Sequence, residues 1–383
     1  MPKIADALER ESRTVDLQQG DFERLLGRRE RKDRNRRIRA GAVGVIVALA
    51  MGLVFVRSLT SDPVPADPPA PRPAPAASGT LAYILDGDVY VADPNGSNPV
   101  KIADGLSAED CYGWSGEYWA EGPMWSPDGR YLAYRRYTDC SSEENPRDVV
   151  ISDAEGNVLA AFPAQGWDIG WSPDSTRVAV WDVVFETIGV YGLDGDRQAQ
   201  LTMPAEHGGS GDWDPVWMPD GTSLMVPNGS RIELPLDGGT PRPLPWDRAA
   251  FSPDGSHVVY STRRSLMVAR SDGSQPREVF GDWGGDPTWS PTGDRIALTT
   301  SGRGRTDELR VLDVATGSVT QLIEGERGAA LSVIGFSPEG DRILFSSADY
   351  RGAGEFSLWS IGVDGSDARL VVAGTTQGDW LSP

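Results

Sequence analysis

Few residues in this chain of 383 are suited to catalysis or to metal binding. Two cysteines, Cys111 and Cys140, and two histidines, His207 and His257, are the whole supply of soft or imidazole ligands. A four-cysteine zinc site is impossible. A site of two cysteines and two histidines would need all four residues, at spacings that fit no known pattern. The lone histidines suggest no triad, and no G-x-S-x-G elbow is present. Carboxylates are plentiful, but nothing singles out a pair at a catalytic separation, as a lyase or glycosidase would require. Asp168, Asp214 and Asp286 each stand three residues before a tryptophan that opens a recurring motif. A ring of such groups can hold a hard cation such as calcium, or each can accept backbone N–H groups within its own loop. The segment AEDCYGWSGEYWAEG carries Tyr112, Trp114, Tyr118 and Trp119 among acidic residues. Aromatic side chains in an exposed loop serve as recognition anchors, or they fold back as a small local core. The expectation is a protein that is not an enzyme, with no catalytic residue, no cofactor and no resident metal.

The elements that must position these residues come from a repeat. An aromatic residue followed by Ser-Pro-Asp-Gly or a close variant occurs at Trp125, Trp171, Trp217, Phe251, Trp289 and Phe336, with a truncated copy at Trp380. The intervals are 46, 46, 34, 38, 47 and 44 residues. A period near 40 built from short strands marks a β-propeller. Each unit reads as a strand ending at the aromatic residue, a tight Pro-Asp-Gly turn, and further strands such as Tyr131–Tyr134, Arg177–Val180 and His257–Tyr260. Forty-five Gly and 29 Pro, about a fifth of the chain, suit this many turns. Thirteen Trp imply a substantial core; Trp167, Trp213, Trp246 and Trp283, just before first strands, are expected between blades. The first unit starts at its second strand, Leu81–Leu85, and lacks the aromatic strand that the C-terminus supplies at Trp380. The expected fold is all-β: a seven-bladed propeller over 79–383, closed by N- and C-terminal strands that share one blade.

The recurring W/F-S-P-D-G turn resembles that of the TolB-like, or WD40-like (PD40), propeller repeat family, over about 305 residues. The resemblance implies a binding propeller. Related propellers of prolyl oligopeptidases carry a hydrolase domain for which this sequence has no counterpart. The segment FERLLGRRERKDRNRRIRAGAVGVIV is also similar to the start of single-pass actinobacterial membrane proteins with propeller ectodomains.

Residues 40–56 are seventeen consecutive residues without charge, at the short end for a membrane span. Eight basic residues lie between Arg28 and Arg39, and only Arg57 lies close on the far side. The positive-inside rule keeps residues 1–39 in the cytoplasm and exports the chain beyond the span. A transmembrane helix over 40–56 is therefore expected, then a stalk over 57–78 with seven Pro in DPVPADPPAPRPAPAAS. The net charge of −20 divides between compartments: +4 over 1–39 and −25 over 58–383. That acidity argues against nucleic acid as a partner.

In a four-stranded meander, the turns between strands one and two and between three and four share one face, and these are uniformly tight here. The long segments 104–120, 136–147, 203–213, 301–307 and 348–355 all belong to the opposite face, which is the expected binding surface. Cys111 and Cys140 fall on that face in adjoining blades, where an oxidising compartment favours a disulfide over two unpaired thiols. The leading functional expectation is a membrane-anchored extracytoplasmic scaffold for a protein or cell-envelope ligand. The alternative is transmembrane signalling, with the propeller as sensor and the tail, through Phe22, Leu25 and Leu26, binding a cytoplasmic regulator such as a sigma factor.

Overall fold

The structure is a computed structural model and describes residues 80–105, 122–137, 147–164, 169–182, 187–204, 215–226, 231–262, 264–281, 285, 287–301, 307–325, 329–349, 355–375 and 377–381. The expected transmembrane helix, the stalk, and the loops that carry Cys111 and Cys140 lie outside these residues. So do Trp167, Trp213 and Trp283.

Within the described residues the chain forms seven four-stranded antiparallel sheets. Blade 1 comprises β1 (Leu81–Leu85), β2 (Asp88–Ala92) and β3 (Val100–Ala103), joined by the last strand of the chain. Blade 2 is β4 (Met124–Trp125), β5 (Tyr131–Tyr137), β6 (Arg147–Asp153) and β7 (Val158–Pro163). Blade 3 is β8 (Ile169–Trp171), β9 (Arg177–Asp182), β10 (Thr187–Gly192) and β11 (Arg197–Thr202). Blade 4 is β12 (Val216–Trp217), β13 (Ser223–Val226), β14 (Ile232–Pro235) and β15 (Arg242–Pro243). Blade 5 is β16 (Asp247–Phe251), β17 (His257–Ser261), β18 (Leu266–Arg270) and β19 (Arg277–Phe280). Blade 6 is β20 (Thr288–Trp289), β21 (Arg295–Ser301), β22 (Asp307–Asp313) and β23 (Val319–Glu324). Blade 7 is β24 (Ala329–Phe336), β25 (Arg342–Asp349), β26 (Glu355–Gly362) and β27 (Arg369–Ala373). The closing strand β28 (Gly378–Trp380) pairs with β1, with Leu81 opposite Trp380 and Tyr83 opposite Gly378. The ring is therefore a seven-bladed propeller whose first blade is shared by both ends, as the repeat predicts.

The motif is explained by its serine. Ser126, Ser172, Ser252, Ser290 and Ser337 are buried, and each hydroxyl accepts the N–H five residues on at 2.9 to 3.0 Å. Each also donates to a carboxylate at 2.6 to 2.8 Å. In Ser-Pro-Asp-Gly that carboxylate is Asp128, Asp174 or Asp254, two residues after the serine. In the Thr292 and Glu339 variants the serine turns instead to Asp294 or Asp341, four residues on. Position 175 shows what the turn demands of the backbone: Ser175 stands where other copies have glycine, at φ 58°. Its hydroxyl accepts the Asp128 N–H of the neighbouring blade at 2.9 Å, a compensation for left-handed backbone strain.

Seven apolar clusters occupy the seven junctions, one between each pair of neighbouring blades. The motif aromatics form part of them. Trp246, expected between blades, packs against Met225 of blade 4 and Val258 and Tyr260 of blade 5. The inner strands are tied by indoles: Trp171 Nε1 donates to Met124 O, Trp217 Nε1 to Gly170 O and Trp289 Nε1 to Ala250 O, at 2.9 to 3.0 Å. Each acceptor is the residue before the motif aromatic of the preceding blade. Trp125 breaks the series, since its buried Nε1 has no partner.

This contrast is measurable. Trp171→Phe deletes the ring and a hydrogen bond to a buried carbonyl, whereas Trp125→Phe deletes only ring atoms. Denaturant unfolding is expected to show Trp171→Phe costing about 1 kcal/mol more than Trp125→Phe; equal losses would deny the indole links their role.

Candidate functional site

Antiparallel topology puts the connections before β4, β8, β12, β16, β20 and β24, and those between second and third strands, on one face. Blades 2, 6 and 7 send their middle hairpins furthest that way. β5 and β6 pair out to Tyr137 opposite Arg147, β21 and β22 to Ser301 opposite Asp307, and β25 and β26 to Asp349 opposite Glu355. In blade 4 the equivalent pairing stops at Val226 opposite Ile232. The candidate ligand-binding residues Tyr112, Trp114, Tyr118 and Trp119, the cysteines Cys111 and Cys140, and the carboxylates Asp168, Asp214 and Asp286 all lie outside the described residues. Among the described residues no group of three or more His, Cys, Asp or Glu is placed to hold a metal.

The position three residues before the motif aromatic is described in blade 1, where it is Gln377. Its side-chain oxygen accepts the N–H of Gly122, the same position in blade 2, at 3.0 Å. Asp379, two residues on, accepts the Trp125 N–H at 2.8 Å. A glutamine and an aspartate on alternate residues at β28 thus cap the exposed backbone donors of the neighbouring inner strand, where an indole link is missing. On its other side β28 is held by β1 and by Leu381 N–H to Thr80 O at 3.0 Å. Leu381 itself is buried in the junction with blade 2, beside Trp125 and Tyr134.

Asp379 is half-buried at the inner wall. Burial pushes its carboxyl up to about 7, against the opposing effect of the Trp125 N–H. The turn aspartates move the other way. Hydrogen bonds from Ser252 and then Ser256 hold Asp254 down at about 2. Asp272, Asp313 and Asp364 are likewise held low by Ser274, Thr316 and Ser366.

Two further charged residues were not singled out by sequence reasoning. Arg135 and Arg147, 1% and 6% exposed, lie at the loop end of blade 2. Their pairings, Arg135 with Val149 and Arg147 with Tyr137, place both on the sheet face that packs toward blade 3. A guanidinium stays charged at any working pH and must be met by acceptors when buried, and neither residue is without a partner. The only signal in the sequence is a pair of cations in positions where strand alternation calls for apolar residues. Both stand toward the far end of the β5–β6 hairpin.

No family model matches the chain. It is 26% identical over 186 residues to an uncharacterized protein of Agrobacterium fabrum, covering 44% of this chain, and it spans about three-fifths (60%) of that relative. TolB from Acinetobacter baumannii is similar at a TM-score of 0.48 and 19% identity, over 80% of this chain and 67% of that one. A functionally unknown protein from Desulfotomaculum acetoxidans matches at a TM-score of 0.53 and 11% identity, over 80% of this chain and all (100%) of the other. At 11% identity the likeness to this last protein is one of fold. Among the described residues no helix is long and apolar enough to cross a membrane.

The displaced carboxyl of Asp379 gives a pH signature. Because the folded state holds that proton more tightly than an ordinary aspartate (3.8), its contribution is most favourable below about pH 4, declines up to about 7 and is flat beyond. The turn aspartates add stability above about pH 4 that is lost toward about 2. Thermal unfolding of Asp379→Asn, which keeps an acceptor for Trp125, is expected to lose the decline between pH 4 and 7 while keeping the acid limb. A variant that keeps the wild-type decline between pH 4 and 7 would remove Asp379 as its source.

Proposed function

We propose that the protein is a membrane-anchored, extracytoplasmic and non-enzymatic binding scaffold, whose propeller engages a protein or cell-envelope ligand through its long-loop face. The observation that carries this reading is the asymmetry between faces. On one face every described turn is tight and carries an aspartate; on the other, the hairpins of blades 2, 6 and 7 overshoot their sheets. Variable, long loops on a rigid ring are where binding residues concentrate. The buried Arg135 and Arg147 stand at the end of blade 2 that faces this way. The anchor rests on the uncharged run at 40–56 and the basic residues before it. With an exported surface of net −25, cationic partners are favoured and binding weakens with salt.

The test is affinity capture with the full-length protein from envelope fractions, alongside Trp114→Ala/Trp119→Ala. The double variant is expected to fold with an unchanged circular dichroism spectrum and to lose at least about tenfold in capture. Equal capture by the variant returns these tryptophans to a local core. A wild-type protein that retains nothing specific sinks the scaffold reading.

A further inference from the structure

Two grooves of the tight-turn face lie beside blades that lack a bridging arginine. In blades 3 and 6 the second strand opens with an arginine that bridges to the next blade. Arg177 Nη2 donates to Gly221 O at 2.9 Å and Arg295 Nη1 to Gly340 O at 3.5 Å, each acceptor being the glycine of the next blade's motif turn. Blade 4 has Ser223 at this position and blade 5 has His257, both too short for that reach. A groove of about 560 Å³ follows blade 4 and reaches Gly255. One of about 210 Å³ follows blade 5 and reaches Gly293.

The two grooves differ in charge. The first is lined by Asp220, Glu233 and Asp272, with Arg242 already paired to Glu233. The second has His257, Arg270 and Arg277 in its wall, with Gln275 and Trp289, and no carboxylate. Register explains the convergence. His257 is directly opposite Arg270, and Arg277 is opposite Val268, two residues before Arg270. All three therefore stand on the one face of blade 5 that looks toward blade 6. Among the described residues neither arginine has an ion pair, and the carboxylate of Asp272 acts on Arg270 only at longer range. The Arg270 guanidinium has no hydrogen-bond or ion-pair partner there, and that of Arg277 bonds the backbone oxygen of Val314. His257 Nδ1 is bonded to Ser256 Oγ at 2.6 Å, which leaves Nε2. The acidic groups nearby, Asp254, Asp272, Asp294 and Asp313, are engaged by their own turns. Elsewhere, Arg130, Arg136, Arg177, Arg295, Arg310 and Arg342 each have a carboxylate within 4 Å. In a chain with 56 acidic residues against 36 basic ones, this groove gathers two arginines with no carboxylate in its wall.

We infer that the groove between blades 5 and 6 is a binding site for an oxyanion end group, a phosphate or a carboxylate, held by Arg270, Arg277 and His257. Two guanidinium forks and an imidazole supply the in-plane donors that such a group accepts. The volume is below that of pockets for whole drug-sized ligands, roughly 300 to 1,000 Å³, so the site takes the charged end of a ligand and leaves the rest outside. It lies on the face opposite the long loops and does not depend on their role.

Isothermal titration of the full-length protein with inorganic phosphate, glycerol phosphate and succinate tests this at low salt. Saturable binding of at least one probe is expected, with a dissociation constant on the order of 1 mM. Preference for the phosphates identifies a phosphate ligand; preference for succinate identifies a carboxylate. Arg270→Gln/Arg277→Gln is expected to weaken binding at least about tenfold, and Arg264→Gln, an exposed arginine outside the groove, to leave it unchanged. The decisive variant is His257→Arg, which restores the bridging arginine and fills the groove. It is expected to abolish binding although it adds positive charge. Binding that stays equal or strengthens in His257→Arg, or an absence of saturable binding by all three probes, overturns the inference.

Discussion

A four-stranded blade with apolar residues on both faces cannot bury either of them alone, so every junction in this ring needs two blades and the last needs both ends of the chain. That requirement organises the molecule. The seven clusters are made of the same materials, a motif aromatic from one blade against aliphatic strands of its neighbour. Indole N–H groups tie inner strands that have no ladder partner toward the axis. Where the chain has to close on itself that device is replaced, and Gln377 and Asp379 take over with side-chain acceptors. A carboxylate in that position is costly when ionised, and it is retained where an N–H would otherwise be left bare.

The motif turns show how a local solution spreads through a repeat. The following strand needs an acceptor for its first N–H, and a buried serine hydroxyl supplies it while donating its own proton to a carboxylate. The carboxylate that completes the arrangement comes from either of two sequence positions, so the constant quantity is a location in space. Where Ser223 and His257 stand in place of a bridging arginine, a groove opens toward the next blade. Variation in such a ring is therefore read most directly at its junctions, since each blade's interior is fixed by its neighbours.

Much of this was legible in the sequence, and for a physical reason. The spacing of aromatic-Ser-Pro units reports a covalent period, and each unit's strands alternate strictly enough to fix their direction. The missing first strand at Leu81 and the orphan motif at Trp380 therefore imply each other. Trp246 was legible as a junction residue from its place before β16. The raised carboxyl of Asp379 was not, because it depends on a contact 254 residues away in sequence. Arg135 and Arg147 were passed over because a charged residue in a strand normally faces water. The groove beside His257 was hidden because it arises from the absence of a long side chain, which matters only once the neighbouring Gly293 is known to face it.

The shared blade has a mechanical consequence. The chain preceding Thr80 enters the ring at β1, which lies between β28 and β2 instead of at an outer edge. Any tension arriving from that side is borne by two ladders at once, one of them made by the final residues of the chain. The short β28 is thus the fuse of the structure. A pull strong enough to strip β1 from it would open the ring at blade 1 while the other six blades still held their junctions, turning a closed wheel into an arc with two fresh apolar ends.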